Sequence, residues 1–249
     1  MKFKSLLSMV LVAGMVLVGC QNETSESNSS ASQKTEQTVQ EEAVVEEVKV
    51  VAATVAATNV LAELDAEVIG VPATSQTLPE QYADLPQVGQ AMSPDLEIVA
   101  SLEPDLFVMD SSFKSSVEES LSQYGLNTFF FETGSYSAFV NSIKKLGTEI
   151  NREEEANELA GEIESAVAKG LEKKGDESPT VAVIFGAGDN FMLATDTSYL
   201  GDLVSTLGAT NITSKLEGDM SSAYVQFSLE QILAENPDYV LRFAHGNVE

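Results

Sequence analysis

The sequence predicts an α/β protein made of two doubly wound lobes joined by one long helix. Three observations predict it. Strand-like and helix-like patterns alternate through the first part of the chain and begin again after Pro179. A distinctive segment occurs twice, as Leu96-Glu97, six residues, then Pro104-Asp105, and as Leu229-Glu230, six residues, then Pro237-Asp238. The offset between the copies is 133 positions, from Leu96 to Leu229, which suggests two similar units. Between the copies lies a long stretch with apolar residues spaced by three and four.

In the first unit, Val48-Lys49-Val50-Val51-Ala52 reads as a strand, 55–64 as a helix and Glu67-Val68-Ile69-Gly70-Val71 as a second strand. Leu106-Phe107-Val108-Met109 and 127–131 follow as two more strands in a mostly parallel sheet. Helical spacing then runs through Phe139, Ile143, Leu146 and Ile150, and again through Leu159, Ile163, Val167 and Leu171. Asn151 followed by Glu154 predicts a cap with its capping-box partner, so a helix restarts at Arg152. It extends to about Lys174, roughly 23 residues or 35 Å. Beyond Pro179, strands are expected at Val181-Ala182-Val183-Ile184-Phe185, Phe191-Met192-Leu193 and Tyr239-Val240-Leu241, with a helix over 199–207. Each copy of the repeated segment is a short helix stopped at proline, with aspartate turning the chain into the sheet. The expected organisation is an N-terminal lobe over 45–150, a connecting helix over 151–176 and a C-terminal lobe over 177–249. A cleft between such lobes is where small ligands bind.

Composition closes several routes. The 249 residues carry 13 Lys+Arg against 39 Asp+Glu, a net charge of −26. Such a surface excludes charge-driven binding to nucleic acid or to anionic lipid. One histidine excludes a multi-histidine metal cage, and one cysteine excludes an internal disulfide framework. Lys2 and Lys4 precede an apolar or small run to Gly19. As a helix that run reaches about 22 Å, short of a bilayer core of roughly 30 Å, so residues 1–19 read as a signal peptide. Residues 20–44 are too polar to bury a core and read as a disordered tether reaching roughly 25–30 Å. Phe185-Gly186-Ala187-Gly188 opens like a dinucleotide fingerprint, but Phe191 stands where the third glycine belongs, so no nucleotide site is indicated.

Leu17-Val18-Gly19-Cys20 resembles the lipobox of bacterial lipoproteins, the alternative being an ordinary secretory peptide with a chance cysteine. With a tether and two lobes on one helix, the chain resembles the substrate-binding lipoproteins of ABC importers, in the siderophore, cobalamin and haem group. Three segments are similar to the haem-binding lipoproteins of the iron-regulated surface determinant type: 88–97, which holds Met92, 194–203, and 241–246, which holds His245. The resemblance implies haem (iron protoporphyrin IX) as cargo, with Met92 and His245 as axial ligands from opposite lobes. It places Thr54-Val55-Ala56 and Thr74-Ser75 near the propionates. It implies that Glu97 and Glu230 meet arginines on the two subunits of an ABC permease served by its ATPase. Cys20 would carry the diacylglycerol and palmitate anchor on the outer face of the membrane of a Gram-positive bacterium. The receptor is expected to be a monomer and not an enzyme. The family continues with further helices and a strand, so the C-terminal lobe is expected to be incomplete.

The residues themselves leave alternatives. His245 follows a strand ending at the sheet's carboxyl edge, where ligands bind, or it is a hydrogen-bonded structural histidine. Met92 stands in a loop before Pro94, as a ligand or as a flexible gap filler, whereas Met109 and Met192 lie in strands and read as core. Thr54 and Ser75 also read as caps, and Glu97 and Glu230 as solvated helix glutamates. Arg152 and Arg242 are the two arginines, few for gripping an anionic ferric siderophore, although a siderophore or corrinoid receptor is the competing reading. A lone histidine with no adjacent nucleophile offers no catalytic constellation.

Overall fold

Residues 47–187 and 190–244 are described in the computed structural model. Residues 1–19 and 20–44, read above as a signal peptide and a tether with Cys20, and His245 lie outside these residues. From the start of the described chain run β1 (Val50–Ala52), α1 (Val55–Glu63) and β2 (Val68–Gly70). A small hairpin follows, β3 (Gly89–Gln90) with β4 (Ser93–Pro94), leading into α2 (Leu96–Ser101). β5 (Leu106–Asp110), α3 (Lys114–Tyr124), β6 (Thr128–Phe131) and α4 (Tyr136–Glu149) complete the N-terminal half.

The four principal strands of this half form a parallel sheet in the order β2-β1-β5-β6. Both faces are covered, and the alternation along each strand divides the core in two. Val50, Ala52, Leu106 and Val108 pack with Leu61 of α1 and with Ile143 and Leu146 of α4. Val51, Ala53, Phe107 and Met109 pack with Val99 of α2 and with Val117 and Leu121 of α3. Burial on both faces is why these strands read as unbroken apolar runs. The doubly wound arrangement expected from the sequence is present, and Met109 is fully buried as expected.

The long helix is α5 (Glu153–Lys174). Its N-cap is Arg152, with no side-chain capping bond, and Asn151 takes φ +57 as the chain leaves α4. The expected Asn151/Glu154 capping box therefore does not form, because the helix starts one residue later and Glu154 falls at its second position. Ala156 and Ala160 of α5 are fully buried against the N-terminal half. At the other end, Gly170 packs against Leu207, and Lys174 lies over Gly208.

The second half comprises β7 (Thr180–Ala187), β8 (Asn190–Ala194), α6 (Tyr199–Thr206), β9 (Thr210–Asn211), β10 (Tyr224–Val225), α7 (Leu229–Glu235) and β11 (Tyr239–Ala244). Strand order is β10-β8-β7-β11, with β9 also beside β7. This sheet is mixed: β11 and β9 run parallel to β7, whereas β8 is antiparallel to β7 and β10 to β8. Only positions 188–189 separate β7 from β8, and a parallel crossover needs a dozen or more residues. Val183 and Ala194 pack with Val204 of α6 on one face, and Ala182 and Leu193 with Ile232 of α7 on the other. Met192 is half-buried.

The repeated segment performs the same local task twice. Asp95 caps α2 and Ser228 caps α7, the latter with Gln231 in a capping box. Glu103 (φ +50) and Asn236 (φ +45) take left-handed conformations directly before Pro104 and Pro237. The Asp105 carboxylate then accepts the Lys49 N–H at 2.9 Å, and the Asp238 carboxylate accepts the Thr180 N–H at 2.7 Å. Each aspartate clamps the start of the central strand of its sheet.

Candidate functional site

Four loops leave the carboxyl edge of the N-terminal sheet on the side where ligands bind in open α/β folds. They surround a cavity of about 790 Å3, walled on the far side by the C-terminal half. That size lies within the range for small-molecule sites, roughly 300–1,000 Å3.

After β1 come Thr54, Val55 and Ala56, all three lining the cavity. Thr54 caps α1, its hydroxyl accepting the Ala57 N–H at 3.2 Å. The first-turn N–H groups of Val55 and Ala56 have no acceptor within the helix. Thr74, from the loop after β2, also lines the cavity, and its hydroxyl accepts the Gln76 N–H at 3.1 Å. Ser75 is exposed beside it and is not part of the wall; its neighbour Gln76 is. Four of the five positions expected near an anionic group are thus brought together.

The β3–β4 hairpin forms the next wall. It is tied to the β2 loop by the Ala73 N–H donating to the Gly89 carbonyl at 2.8 Å. Gly89 has φ +91, and a Cβ there would meet the Asp95 nitrogen at 2.8 Å, so the tight reversal requires glycine. Ala91 at the hairpin tip lines the cavity, and Met92 beside it is 75% exposed. Gap filling in a core is therefore not the role of Met92, which is next in sequence to the wall residue Ala91 but does not itself line the cavity.

Asp110, at the end of β5, is 9% exposed and lines the cavity together with Ser112 and Phe113. Thr133, just past β6, completes this side. The remaining wall is aromatic. Phe139 of α4 meets Tyr199 of α6 edge-on, with ring centroids 5.6 Å apart, and Phe185 of β7 lies 4.8 Å from Tyr224 of β10. Burial pushes both the Tyr199 and the Tyr224 phenols up, Tyr199 with added repulsion from Tyr136 and Asp202, so both remain neutral at physiological pH.

Local sequence explains how Tyr199 is presented. Ser198 caps α6, accepting the Gly201 N–H at 3.0 Å while donating to the Thr195 carbonyl at 2.7 Å. Thr195 is itself anchored to the Ser222 carbonyl at 2.7 Å. A Cβ on Gly201 would overlap the Thr195 carbonyl, so the first turn of α6 lies directly on this anchor. The aromatic wall was not anticipated as a site from sequence, because Phe139 reads there as one member of a helical stripe. Its signal was positional: Asp110 ends a strand, Phe185 lies in one, and Tyr199 opens a helix.

Among the described residues, the cavity wall holds no lysine, arginine or histidine, and Asp110 is its one formally charged side chain. Such a lining suits a largely apolar ligand with a few polar groups. Glu97 and Glu230 are exposed, each at the second position of its helix, α2 and α7. β11 carries the chain up to Ala244, paired in parallel with Gly186 of β7. Arg242 lies over the Phe191 ring at 4.7 Å.

Comparison with known proteins agrees with this geometry. The family model described as periplasmic binding protein matches residues 50–248. The high-affinity heme uptake system protein IsdE of Staphylococcus aureus (strain Newman) is 30% identical over 251 residues, spanning 100% of this chain and 80% of that protein. The crystal structure of S. aureus IsdE complexed with heme superposes with a TM-score of 0.68 at 33% identity, covering 80% of this chain and 77% of that one. An ABC transporter substrate-binding protein from Listeria monocytogenes EGD-e superposes with a TM-score of 0.69 at 31% identity, covering 82% of this chain and 78% of that one.

Proposed function

The chain belongs to the periplasmic binding protein family, and from that premise we propose that it is a lipid-anchored, extracytoplasmic haem receptor delivering its cargo to an ABC permease. The observation that carries this reading is the cavity between the two halves, with rings from both and no cation in its described wall. A porphyrin offers two broad apolar faces to Phe113, Phe139, Phe185, Tyr199 and Tyr224, and aromatic contacts of this kind dominate such sites. The likeness to a heme-complexed relative at 33% identity supports the same cargo.

In this reading Met92 and His245 supply the axial ligands from the two sides of the cavity. The exposure of Met92 at the hairpin tip supports its half of that assignment. A thioether opposite an imidazole gives six-coordinate iron. Thr54, Val55, Ala56, Thr74 and Ser75 receive the propionates, with the first turn of α1 favouring negative charge. The protein binds and releases haem as a monomer and does no chemistry on it. Cys20 carries the lipid anchor, residues 20–44 hold the receptor away from the membrane, and lobes over 45–150 and 177–249 hinge on the helix over 151–176. Glu97 and Glu230 dock on the two permease subunits.

An absorption titration of residues 21–249 with haem tests this, run beside Met92→Ala and His245→Ala. A stoichiometric low-spin, six-coordinate spectrum that either substitution alters is the expected result. Free-haem absorption from a protein that melts cooperatively would overturn it and favour a ferric siderophore or a corrinoid as cargo.

A further inference from the structure

The carboxyl edge of the N-terminal sheet is polarised from one end to the other. In the strand order β2-β1-β5-β6, the cavity receives Thr74 after β2, Thr54 to Ala56 after β1, Asp110 from β5 and Thr133 after β6. Neighbouring strands are about 4.8 Å apart, so the two ends of this row are separated by roughly 14 Å. At the β1 end the first-turn N–H groups of α1 are donors.

The β5–β6 end differs: Asp110 caps the 3-10 turn over Ser111–Phe113 that leads into α3, so a carboxylate covers this helix start. Asp110 Oδ1 accepts the Ser112 N–H at 2.8 Å and the Ser112 hydroxyl at 2.5 Å, and Oδ2 accepts the Thr133 hydroxyl at 2.6 Å. Each hydroxyl has one proton, and each spends it on Asp110, leaving only lone pairs for anything in the cavity. Next to them the Ser111 hydroxyl is likewise turned to the Glu132 carboxylate at 2.8 Å. Lys114, the cation nearest in sequence, lies over the Phe130 ring at 5.1 Å and faces Glu118 at 3.8 Å. Among the described residues that line the cavity, no cation neutralises the carboxylate.

Building on the haem reading, we infer that Asp110 is a specificity-determining residue that selects ligand charge and orientation. By its own charge, and by holding Ser112 and Thr133 as acceptors, it turns carboxylates and anionic chelates away from the β5–β6 end. A ligand with one anionic edge enters with that edge toward Thr54 and Thr74. Unfavourable pairing of this kind discriminates between ligands as effectively as added attraction.

The test follows tyrosine fluorescence quenching in wild-type and Asp110→Asn protein titrated with haem, haem dimethyl ester and a ferric tris(catecholate) trianion. The chain has no tryptophan, and two of its six tyrosines, Tyr199 and Tyr224, line the cavity, so part of the signal reports on the site. Wild type is expected to bind the ester more weakly than haem, and Asp110→Asn to lower Kd for the trianion about tenfold or more. Asp110→Ser, also uncharged, replaces the asparagine variant if that one does not melt cooperatively. A trianion affinity that neither uncharged variant raises, or a wild type that prefers the ester, overturns the assignment. Failure of haem to bind while the variants gain the trianion would remove the haem reading and leave the role of Asp110 standing.

Discussion

The Asp202 carboxylate on α6 accepts the backbone N–H of Tyr136 at 2.8 Å, at the first turn of α4 in the opposite half of the protein. Three residues further along α4, Phe139 meets Tyr199, the first residue of α6, edge-on at 5.6 Å. The two helices that carry the aromatic wall are thus joined at their N-termini by a charge-assisted bond, in addition to the covalent link through α5.

Asp202→Ala removes that bond and leaves an N–H of α4 without its acceptor. The expected loss is about 1 kcal/mol, typical of a partly buried bond to a charged group at a helix N-terminus. For a chain of this length that is a fall in Tm of roughly 2–4 °C. Thermal unfolding measures it, and a variant that melts with the wild type would show that Asp202 does not hold the halves.

A sharper packing test lies between α4 and α5. A Cβ on Gly147 would overlap the Cβ of Ala156 and lie 2.7 Å from the Arg152 carbonyl oxygen. Helix propensity alone would make Gly147→Ala stabilising by about 1 kcal/mol. Steric overlap with backbone in a packed crossing reverses the sign, and a loss of about 1–3 kcal/mol is expected. Urea unfolding decides between the two, because the competing effects differ in sign.

These contacts mark the limit of what was legible in the sequence. β1, β5 and β7 were readable because both of their faces are buried, which concentrates Val, Ile, Leu and Phe into short unbroken runs. β3, β4, β9 and β10 have two residues each, too few to show any period, and went unread. Thr54 and Thr74 were read as site residues through the family resemblance alone, since by themselves a hydroxyl at a helix start and one in a loop read equally as caps. The pairing of Phe139 with Tyr199 was not legible, since a helical stripe tells which face is apolar and not which neighbour covers it. Asn151 misled because its short polar side chain suits a cap and a left-handed turn equally, and here the turn prevailed.

Acid stability is expected to depend on Asp238, the aspartate of the second repeated segment. The Asp238 carboxyl is held below its ordinary range by the Thr180 N–H and then by the Thr180 hydroxyl, at 2.7 and 2.9 Å. A depressed folded-state value means that its contribution is complete above the unfolded range, near pH 4. The contribution disappears as pH falls from there through the lower folded value. Asp238→Asn is therefore expected to flatten the decline in Tm below about pH 4 while lowering Tm at neutral pH. Melting curves between about pH 2 and 7 check this, and parallel curves for both proteins would rule it out.

The last prediction concerns Glu97 and Glu230, which occupy the same helix position in the two copies of the repeated segment. Each lies in a first turn already capped, by Asp95 in α2 and by Ser228 in α7, and each is exposed. A carboxylate there interacts favourably with the helix dipole, so a purely structural role is the competing explanation. The two roles separate under charge reversal. If the glutamates serve stability, Glu97→Lys and Glu230→Lys each lower Tm and leave permease stimulation intact. If they dock the receptor, haem affinity is retained, since neither residue lines the cavity. Haem-stimulated ATP hydrolysis by the cognate permease in proteoliposomes should then fall with either substitution, and about tenfold or more with both. A double variant that stimulates the permease as well as wild type would eliminate docking through this pair.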